Sequence, residues 1–591
     1  MMKTDAVSGQ SACDLLADPA FTASWQALYE QCPWATPFQC PAFVTAWYQI
    51  YARQFAPLIV RGRAADGSLA GLFTLAVDVE AQTIQAAGAD RAEYQAWLAR
   101  EDSASEFIRS ALQHVCSAHP GRPIDFYYLP PGIPTAWIAE DPQWKRRCRL
   151  HSFAAPIMDV ADGAQASASR RRKTHRSLGR LQRSGHVRFE ELRTVDELAA
   201  VIDSIAAQYD FRQAAVNGYV HFGRDERRKQ FQLALMRTPG LLHATVLRHG
   251  DAVVAANLGL KGKDRVYLGI FSNAAAYAKE SPGKLHLVML GDHLAHTGQR
   301  QLDLTPGEDA YKPAFASRYE QVHRLTVYPN ARQWFRAGMR HAMTPVATRA
   351  LAAIGIDARA ARTRLARARR GSVRHIGARV RAALTTVRRR VWSHDEIRVY
   401  AMPVNRVGGP PPGLELRHDA LDDLLLFEPM PGASQRQEFL ACALARVGNG
   451  HHFHTFTDGG TLIYQGWMAE NQARAMLIEV GQEVTLPPRS SVLYDAYTHP
   501  AARGRGIYKQ SLRCVLHAVA SRGASDWIFI WVEAGNTASR HVIEDAGFEY
   551  YGSAFQRTVL GWVKRWSTCE AFTVRTDRGA ALAVPAGGDA L

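Results

Sequence analysis

Residues 490–508, SSVLYDAYTHPAARGRGIY, decide the fold of the carboxy-terminal part of the chain. The apolar first half predicts a strand, Gly504 and Gly506 mark a turn, and the spacing of the apolar residues that follow predicts a helix directly after it. Such a helix start brings free backbone N–H groups and the positive end of the helix dipole to one point. This point suits a pyrophosphate, which Arg503 and Arg505 would attract further. A helix start with a flexible turn and no ligand is the alternative.

The residues after this turn supply further signals. An apolar strand ends shortly before Asn536, and the tripeptide AGF at 546–548 closes a short helix. The order of strand, glycine turn, helix, strand and N…GF segment resembles the GNAT acyl-CoA N-acyltransferase family, whose turn has the motif R-x-x-G-x-G/A. Arg503 and Gly506 match the first and fourth positions of that motif, whereas Tyr508 replaces the glycine or alanine at the sixth.

This resemblance covers residues 395–566 and implies acetyl-CoA or another acyl-CoA as co-substrate. The residues to which it assigns the binding of that co-substrate are Arg503, Gly504, Arg505, Gly506, Ile507, Tyr508 and Asn536. In this family a neutral amine attacks the thioester carbonyl, so a base takes the amine's proton and a donor protonates the leaving thiolate.

Different residues are candidates for the proton donor and for the base of this reaction. Many relatives use a tyrosine in the helix after the asparagine as proton donor, and the matching residue here, Ile543, cannot donate. We therefore expect Tyr508, Tyr550 or a water as donor, or a module that has lost catalysis. Asp495 is the candidate base, and strand alternation places it on the opposite face from Tyr494. A solvent-exposed carboxylate with no catalytic role is the alternative.

A second informative segment spans residues 281–315 and begins SPGKL. Its pattern predicts a helix that opens after the Pro-Gly pair and stops at Gly298, and then a short strand that delivers Asp303 to a glycine-containing turn. That turn ends in Tyr311 and Lys312, so an acid, a turn and a cation fall close together and predict a cleft.

This pattern resembles the CelD-like acetyltransferase group of cellulose and exopolysaccharide biosynthesis, which is related to the FemABX peptidyltransferases. The group has s-P-G-k-l, then r-G-x-x-x-f-D, then G-(d/e)-x-x-Y-K, and the resemblance extends over residues 20–330. It implies two fused GNAT-like folds with donor and acceptor meeting between them. It makes Asp303 a base or orienting group and Lys312 a phosphate ligand or carbonyl polariser, with Tyr311 beside it. A structural ion pair at a strand end is the alternative.

The positive charge of the chain is concentrated in two segments. The net charge is +16, yet residues 349–390 carry thirteen arginines against one acid, and residues 170–183 add seven cations. The apolar residues from Val373 to Val391 recur every three or four positions, which predicts an amphipathic basic helix. Such a helix suits an anionic membrane surface or a partner helix, and a solvated spacer or a nucleic-acid contact is the alternative.

Cysteines, apolar runs and histidines bear on the compartment and on metals. The eight cysteines include no C-x-x-C pair, the amino terminus lacks a secretory signal, and no apolar run is long enough to span a bilayer. We expect a cytoplasmic protein, free or peripheral at the inner face of the membrane. His451, His452 and His454 lie on a predicted strand. Only His452 and His454 share a face of it, and no third ligand at helix spacing is visible, so we expect no metal.

The expected fold class is α/β (α+β), with tandem GNAT-like folds whose mixed central sheets are flanked by helices. The expected parts are a disordered amino terminus at 1–20, GNAT-like halves of a CelD-like domain at 21–165 and 166–335, an Arg-rich amphipathic helical linker at 346–392, a GNAT domain at 395–566 and a tail at 572–591.

The expected function is acyl transfer, with acetyl as the first choice, from acyl-CoA to an amine of a sugar, glycan precursor or amino-acid derivative in cell-envelope or exopolysaccharide biosynthesis. One alternative is FemABX-like transfer of an aminoacyl group from charged tRNA, for which the basic segments would bind the tRNA. The other is a non-catalytic regulator that senses acyl-CoA, or a scaffold at the membrane. No nucleic acid other than tRNA is an expected partner.

Overall fold

The computed structural model describes residues 2–160, 168–307, 309–339, 392–409, 413–429, 435–568 and 572–574, apart from the side chains of 168–175 and 572–574. These residues form two compact units. Among them, the first unit comprises 2–209, 221–274 and 280–339, and the second comprises 210–220, 275–279 and the residues from 392 onward. The basic segment at 349–390, and with it the predicted amphipathic helix, lies outside the described residues.

The first unit is built on one mixed sheet, to which thirteen of the described strands belong. These strands are β1 (Lys3–Ser8), β2 (Phe55–Arg63), β3 (Leu69–Asp78), β4 (Ile84–Ala86), β5 (Leu98–Ala99), β6 (Ile124–Leu129), β7 (Cys148–Asp159), β8 (Val187–Leu192), β9 (Leu242–His249), β10 (Ala252–Lys261), β11 (Arg265–Asn273), β12 (Gln301–Asp303) and β13 (Arg318–Val327). Their order is β1-β2-β3-β4-β6-β13-β7-β12-β11-β10-β9-β8, with β5 paired to β3.

The helices up to residue 315 are α1 (Gln10–Ala17), α2 (Pro19–Gln31), α3 (Pro41–Tyr51), α4 (Ala104–Ala118), α5 (Ala136–Glu140), α6 (Pro142–Lys145), α7 (Ala168–Ser184), α8 (Val195–Ala199), α9 (Ile202–Asn217), α10 (Arg227–Met236), α11 (Pro282–His296) and α12 (Lys312–Phe315). The second half of α9 belongs to the second unit. Large aromatic side chains fill the core, and Trp25, Trp47, Trp97 and Trp137 are all buried. Helix α11 confirms the predicted helix, since Pro282 occupies its first turn and Gly298 takes a φ of 79° just beyond its end.

The sheet of the first unit joins both predicted halves of the CelD-like domain. Strand β13 comes from the second half of the sequence but lies between β6 and β7 of the first half. It pairs antiparallel with β7 along its whole length, from Arg318 opposite Ile157 to Val327 opposite Cys148. Strand β7 in turn pairs with β12. The two halves therefore exchange strands and share one hydrogen-bonded sheet.

The amino terminus differs from the expectation of disorder at 1–20. Residues 3–8 form β1, which pairs with β2 from Lys3 opposite Arg63 to Ser8 opposite Leu58, and α1 follows with Ala12 fully buried. The prediction was wrong because the segment has little hydrophobic pattern of its own. Its backbone groups find their partners on a strand about 50 residues away along the chain.

The second unit contains an eight-stranded and a three-stranded sheet among its described residues. Its strands are β14 (Trp392–Pro403), β15 (Arg417–His418), β16 (His452–Asp458), β17 (Thr461–Ala469), β18 (Arg474–Leu477), β19 (Gln482–Thr485), β20 (Ser490–Thr498), β21 (Trp527–Glu533), β22 (Glu549–Val559), β23 (Trp562–Ser567) and β24 (Phe572–Val574). Its helices are α13 (Leu421–Leu424), α14 (Arg436–Gly448), α15 (Ile507–Arg522) and α16 (Thr537–Asp545).

The larger sheet of the second unit has the order β15-β16-β17-β20-β21-β14-β22-β23, and the smaller has β18-β19-β24. Only β20 and β21 pair in parallel within the larger sheet, and α15 connects them. The predicted tail at 572–591 begins with β24, which pairs with β19, so residues 572–574 are not frayed. Residues 575–591 lie outside the described part of the chain. None of the described helices is long and apolar enough to cross a membrane.

Candidate functional site

The central strands β20 and β21 of the second unit separate part-way along their length. They pair from Ser490 opposite Trp527 to Leu493 opposite Ile530, and beyond that point each strand continues unpaired by the other. A cavity of about 610 Å³ opens there. Its lining includes Trp467, Leu493, Tyr494, Asp495, Tyr497, Arg503, Gly504, Gly506, Ile507, Tyr508, Trp531, Asn536, Ser539 and Val542.

A bulge in β20 shapes the wall of this cavity. Against β17, Tyr497 faces Gln465 and Tyr494 faces Trp467, so two residues of β20 stand opposite one of its neighbour. Asp495, in the bulge, has a φ of 48°. The alternation that placed Asp495 and Tyr494 on opposite faces is therefore interrupted, and both residues line the cavity. That part of the sequence prediction was wrong because it assumed a regular strand.

The predicted glycine turn lies at the cavity wall. Gly504 and Gly506 have φ values of 76° and 73°, and Gly506 caps the amino terminus of α15. Apart from the glycine itself and its two chain neighbours, no described heavy atom lies within 4 Å of the place where a Cβ would stand at either residue, so the space over the turn is open. Of the seven residues predicted to bind the co-substrate, six line the cavity. Arg505 does not, and its side chain is exposed.

Tyr508 brings a phenol to this wall from α15. Burial raises its pKa, and its hydroxyl accepts a hydrogen bond from Ser539 Oγ at 3.4 Å. Ser539 lies one turn before Ile543 on α16, and Ile543 is fully buried in the core. Asn536 caps the same helix, its Oδ1 accepting from the Ser539 backbone N–H at 3.1 Å. Tyr550, the other predicted donor, is 54% exposed and is not part of the lining.

Asp495 has partners that the sequence did not indicate. Its carboxylate forms an ion pair with Arg446 of α14, whose guanidinium lies 5.0 Å from the ring centre of Trp467 and 5.1 Å from that of Tyr494. The Tyr494 hydroxyl lies 2.5 Å from Nδ1 of His451. Burial raises the pKa of Tyr494 and lowers that of His451, so both groups are neutral at pH 7.

In the first unit, Asp303 ends β12 and is only 1% exposed. One carboxylate oxygen accepts a hydrogen bond from the Tyr94 hydroxyl at 2.9 Å, and the other accepts from the Thr305 backbone N–H at 2.8 Å. Burial raises the pKa of Asp303 to about 6, although these hydrogen bonds act against the shift. Tyr94 is 209 residues away in sequence, which is why no local pattern indicated the contact.

Lys312 closes the turn that follows Asp303. Its Nζ donates to the carbonyl oxygens of Thr305 at 3.1 Å and Pro306 at 3.3 Å, and it pairs with Asp309 at 3.0 Å. These contacts match the three donors of an ammonium group, and the side chain is buried. The contacts favour a structural role for Lys312 in holding the turn. Tyr311 precedes it, with its ring centre 5.8 Å from that of Phe271.

Sequence reasoning also missed Glu93, which belongs to the same cluster. Burial raises its pKa to about 7, Lys312 counteracts the shift, and Asp303 and Asp309 add to it. Glu93 lies in the loop before β5, far from Lys312 in sequence, and only the shared sheet brings the two together. A carboxyl group that titrates near neutral pH is a candidate acid or base.

The histidines predicted to bind no metal have acidic and histidine neighbours. His452 Nδ1 lies 2.7 Å from an oxygen of Asp419, and His418 Nδ1 lies 3.4 Å from the same oxygen. These three residues could hold an ion, as could Glu191, His243 and His293 in the first unit. The other two members of the cluster in the second unit are His418 in β15 and Asp419 directly after it, more than 30 residues before His452.

Comparison with protein families assigns both parts of the chain. Residues 168–313 match the model of the acetyltransferase (GNAT) domain, and residues 425–548 match that of the acetyltransferase (GNAT) family. The chain carries two GNAT acetyltransferase domains. It is thus a transferase, and the tandem GNAT-like fold with mixed sheets flanked by helices is confirmed. No curated protein matches the chain.

Several solved structures are similar in fold to about half of this tandem GNAT chain. FemX is 8% identical, with 51% of this chain and 95% of that chain covered at a TM-score of 0.37. A tandem GNAT protein from the clavulanic acid biosynthesis pathway is 13% identical, with 56% and 99% covered at 0.35. L-PGS from Bacillus licheniformis is 12% identical, with 53% and 92% covered at 0.35.

Proposed function

We propose that this protein is an acyl-CoA-dependent N-acyltransferase, with acetyl-CoA as donor, and that its carboxy-terminal GNAT domain binds the donor. The observation that carries the proposal is the cavity between the separated strands β20 and β21, which opens onto the glycine turn at the start of α15. Its volume of about 610 Å³ lies within the usual range of small-molecule sites.

The turn supports pyrophosphate binding. The first backbone N–H groups of α15 lack partners within the helix, and the helix dipole adds positive potential there. Because the space over Gly504 and Gly506 is open, phosphate oxygens can approach the backbone closely. The pantetheine arm would then enter the gap between the two strands, where unpaired backbone groups can hydrogen-bond to its amides.

The chemistry would proceed by direct attack. The acceptor nitrogen bonds to the thioester carbonyl carbon, and the C–S bond then breaks. Asp495 would take the proton from the nitrogen, and the phenol of Tyr508 would supply one to the thiolate. The raised pKa of Tyr508 keeps its proton in place at neutral pH. Tyr508 would thus replace the donor missing at Ile543, since its hydroxyl reaches α16 one turn earlier.

The acceptor would be an amine of a sugar, a glycan precursor or an amino-acid derivative used in cell-envelope or exopolysaccharide assembly. The resemblance of residues 20–330 to the CelD-like group supports this class of acceptor. The cavity offers Asp495 for a cationic amine. It also offers the Tyr497 hydroxyl and Trp467 Nε1, which are buried and have no hydrogen-bond partner among the described residues. The chain would act in the cytoplasm or at the inner face of the membrane.

Calorimetric titration of the full chain with acetyl-CoA tests the donor site. Gly506→Asp places a carboxylate where the pyrophosphate would lie, and we expect acetyl-CoA affinity to fall more than tenfold. Gly523→Asp is the matched control, because Gly523 ends the same helix with a φ of 62° and equally open space. Equal affinities in the two variants, or no binding by the wild type, would contradict the proposal.

Two further assays on the full chain then distinguish the proposed transferase from the alternative functions. Release of CoA in the presence of glucosamine or amino-acid amides supports the transferase. Binding of acetyl-CoA with no release of CoA in the presence of any of these amines favours the sensing regulator. Binding of aminoacyl-tRNA that weakens steeply with salt, together with no affinity for acetyl-CoA, favours FemABX-like transfer.

A further inference from the structure

Three potential metal ligands converge at one edge of the first unit's sheet. Strand β8 is the last in the sheet order, and Glu191 on it stands opposite Thr245 of β9. His243 lies two residues before Thr245 and therefore faces the same side as Glu191. Helix α11 supplies His293 to that side. The ligand atoms of the three side chains all lie within 4.8 Å of one another.

The polar atoms of this cluster are poorly satisfied. His293 Nε2 is buried and makes no hydrogen bond within the described residues. It lies 3.4 Å from one Glu191 oxygen, and His243 Nε2 lies 3.9 Å from the other. The second distance is too long for a hydrogen bond. Burying imidazole nitrogens beside a carboxylate without such bonds is costly, so the cluster needs a further partner.

We propose that Glu191, His243 and His293 bind a divalent transition-metal ion, with Zn²⁺ as the ion that fits best. Two imidazole nitrogens and one carboxylate oxygen are a ligand set that Zn²⁺ prefers. Bonds of about 2.1 Å in tetrahedral geometry place ligand atoms about 3.4 Å apart. The two observed distances, 3.4 and 3.9 Å, run to different oxygens of Glu191, and the three ligand atoms lie within 4.8 Å of one another. Small side-chain rotations that shorten the longer separations would therefore complete the geometry.

The surroundings of the cluster suit a metal ion that has three protein ligands and one coordination position open to water. Glu191 and His293 keep 25% and 23% of their side chains exposed, so that a water can complete the coordination and the ion can enter. Arg193 lies 3.3 Å from Glu191, but its side chain is 77% exposed and can turn into solvent. The ion would tie β8 and β9 to α11, and this role is independent of the proposed acyl-CoA site.

The histidine cluster of the second unit is the weaker candidate for such an ion. His452 Nδ1 is already bonded to Asp419 at 2.7 Å, and His418 Nε2 accepts a hydrogen bond from Arg522 at 2.8 Å. An ion would have to replace these bonds. The cluster must nevertheless be controlled for, because it could bind Zn²⁺ in the same chain.

The test uses the full chain, stripped with a chelator and titrated with Zn²⁺ by calorimetry and with Co²⁺ by visible absorption. We expect Zn²⁺ binding that His293→Ala and the isosteric Glu191→Gln weaken more than tenfold, since even an outer-shell change commonly costs 10–100-fold. His296→Ala is the matched control, because His296 is exposed on the same helix and should leave binding unchanged. Asp419→Asn should leave it unchanged too.

A second readout compares the Tm of each variant with and without Zn²⁺, so it does not depend on the stability of the variant without the ion. Zn²⁺ at a free concentration 100-fold above its Kd should favour the folded state about 100-fold, which appears as a rise in Tm. That rise should occur in the wild type and in His296→Ala but not in Glu191→Gln. No Zn²⁺ binding by the wild type, or binding lost only in Asp419→Asn, would overturn the proposal.

Discussion

Replacing Asp303 with asparagine should make the stability of the first unit less dependent on pH. Asp303 is buried, and its pKa is raised from 3.8 to about 6 in the folded chain. Between these two values the folded state holds a proton that the unfolded state has released. The contribution of Asp303 to stability is therefore fully present below pH 3.8 and is lost as the pH rises through 6.

The size of the effect follows from the shift. At 1.36 kcal/mol per pH unit, the difference between 3.8 and about 6 corresponds to about 3 kcal/mol, of which about 2 kcal/mol is lost between pH 4 and pH 7. Asparagine keeps an oxygen for the Thr305 N–H, and its amide can donate to the Tyr94 hydroxyl. Any change in these hydrogen bonds shifts the free energy of unfolding by the same amount at every pH. The pH-dependent contribution of the Asp303 carboxyl group disappears. Removing the charge also lowers the pKa of Glu93, which acts in the same direction.

The assay is urea unfolding at pH 4, 5, 6 and 7, with hydrogen exchange of peptides from β7 and β12 used to assign the free energy to the first unit. Separate assignment is needed because a chain of two units need not unfold in one step. Relative to the wild type, Asp303→Asn should gain about 2 kcal/mol between pH 4 and pH 7. Asp309→Asn removes a charge from the same turn at an exposed position and should change the pH dependence by less than about 0.5 kcal/mol. Parallel curves for Asp303→Asn and the wild type would refute the reasoning.

Three further predictions concern catalysis and packing. Tyr508→Phe should lower kcat for CoA release by about 10²–10⁴-fold with little change in KM, whereas Tyr550→Phe should have no such effect, as steady-state kinetics with an amine acceptor will show. Lys312→Ala should destabilise the first unit by about 2–5 kcal/mol in urea unfolding, because it leaves two buried carbonyl oxygens without a donor. Leu493→Ala should cost the second unit about 2–5 kcal/mol, whereas Leu560→Ala, at a 76% exposed position, should stay within about 0.5 kcal/mol; thermal unfolding measures both.

The local pattern of the sequence predicted the backbone elements of the proposed donor site. A strand, a turn with two glycines and an immediate helix are all properties of neighbouring residues, and they appear as β20, the turn at 504–506 and α15. The pattern did not predict that Arg503 lines the cavity and Arg505 does not, because both arginines lie in the same turn and residue type alone does not separate them.

Partners that are distant in sequence could not be predicted in this way. Arg446 reaches Asp495 from another helix, and Tyr94 reaches Asp303 across 209 residues. Neither contact leaves a local signature, because a side chain's partner across a sheet is set by strand order and register. The ordered segment 3–17 was missed for the same reason.

The sequence by itself determined the kind of protein, because the motifs at 281–315 and 490–508 specify helix starts and turns through the conformations that glycine and proline allow. Tertiary structure alone decided which side chains share a cavity and how their pKa values are shifted. The bulge at Asp495 brings it to the same cavity as Tyr494, and burial raises the pKa of Asp303. Both effects arise from strand pairing and removal from water, which depend on the whole fold and not on neighbouring residues.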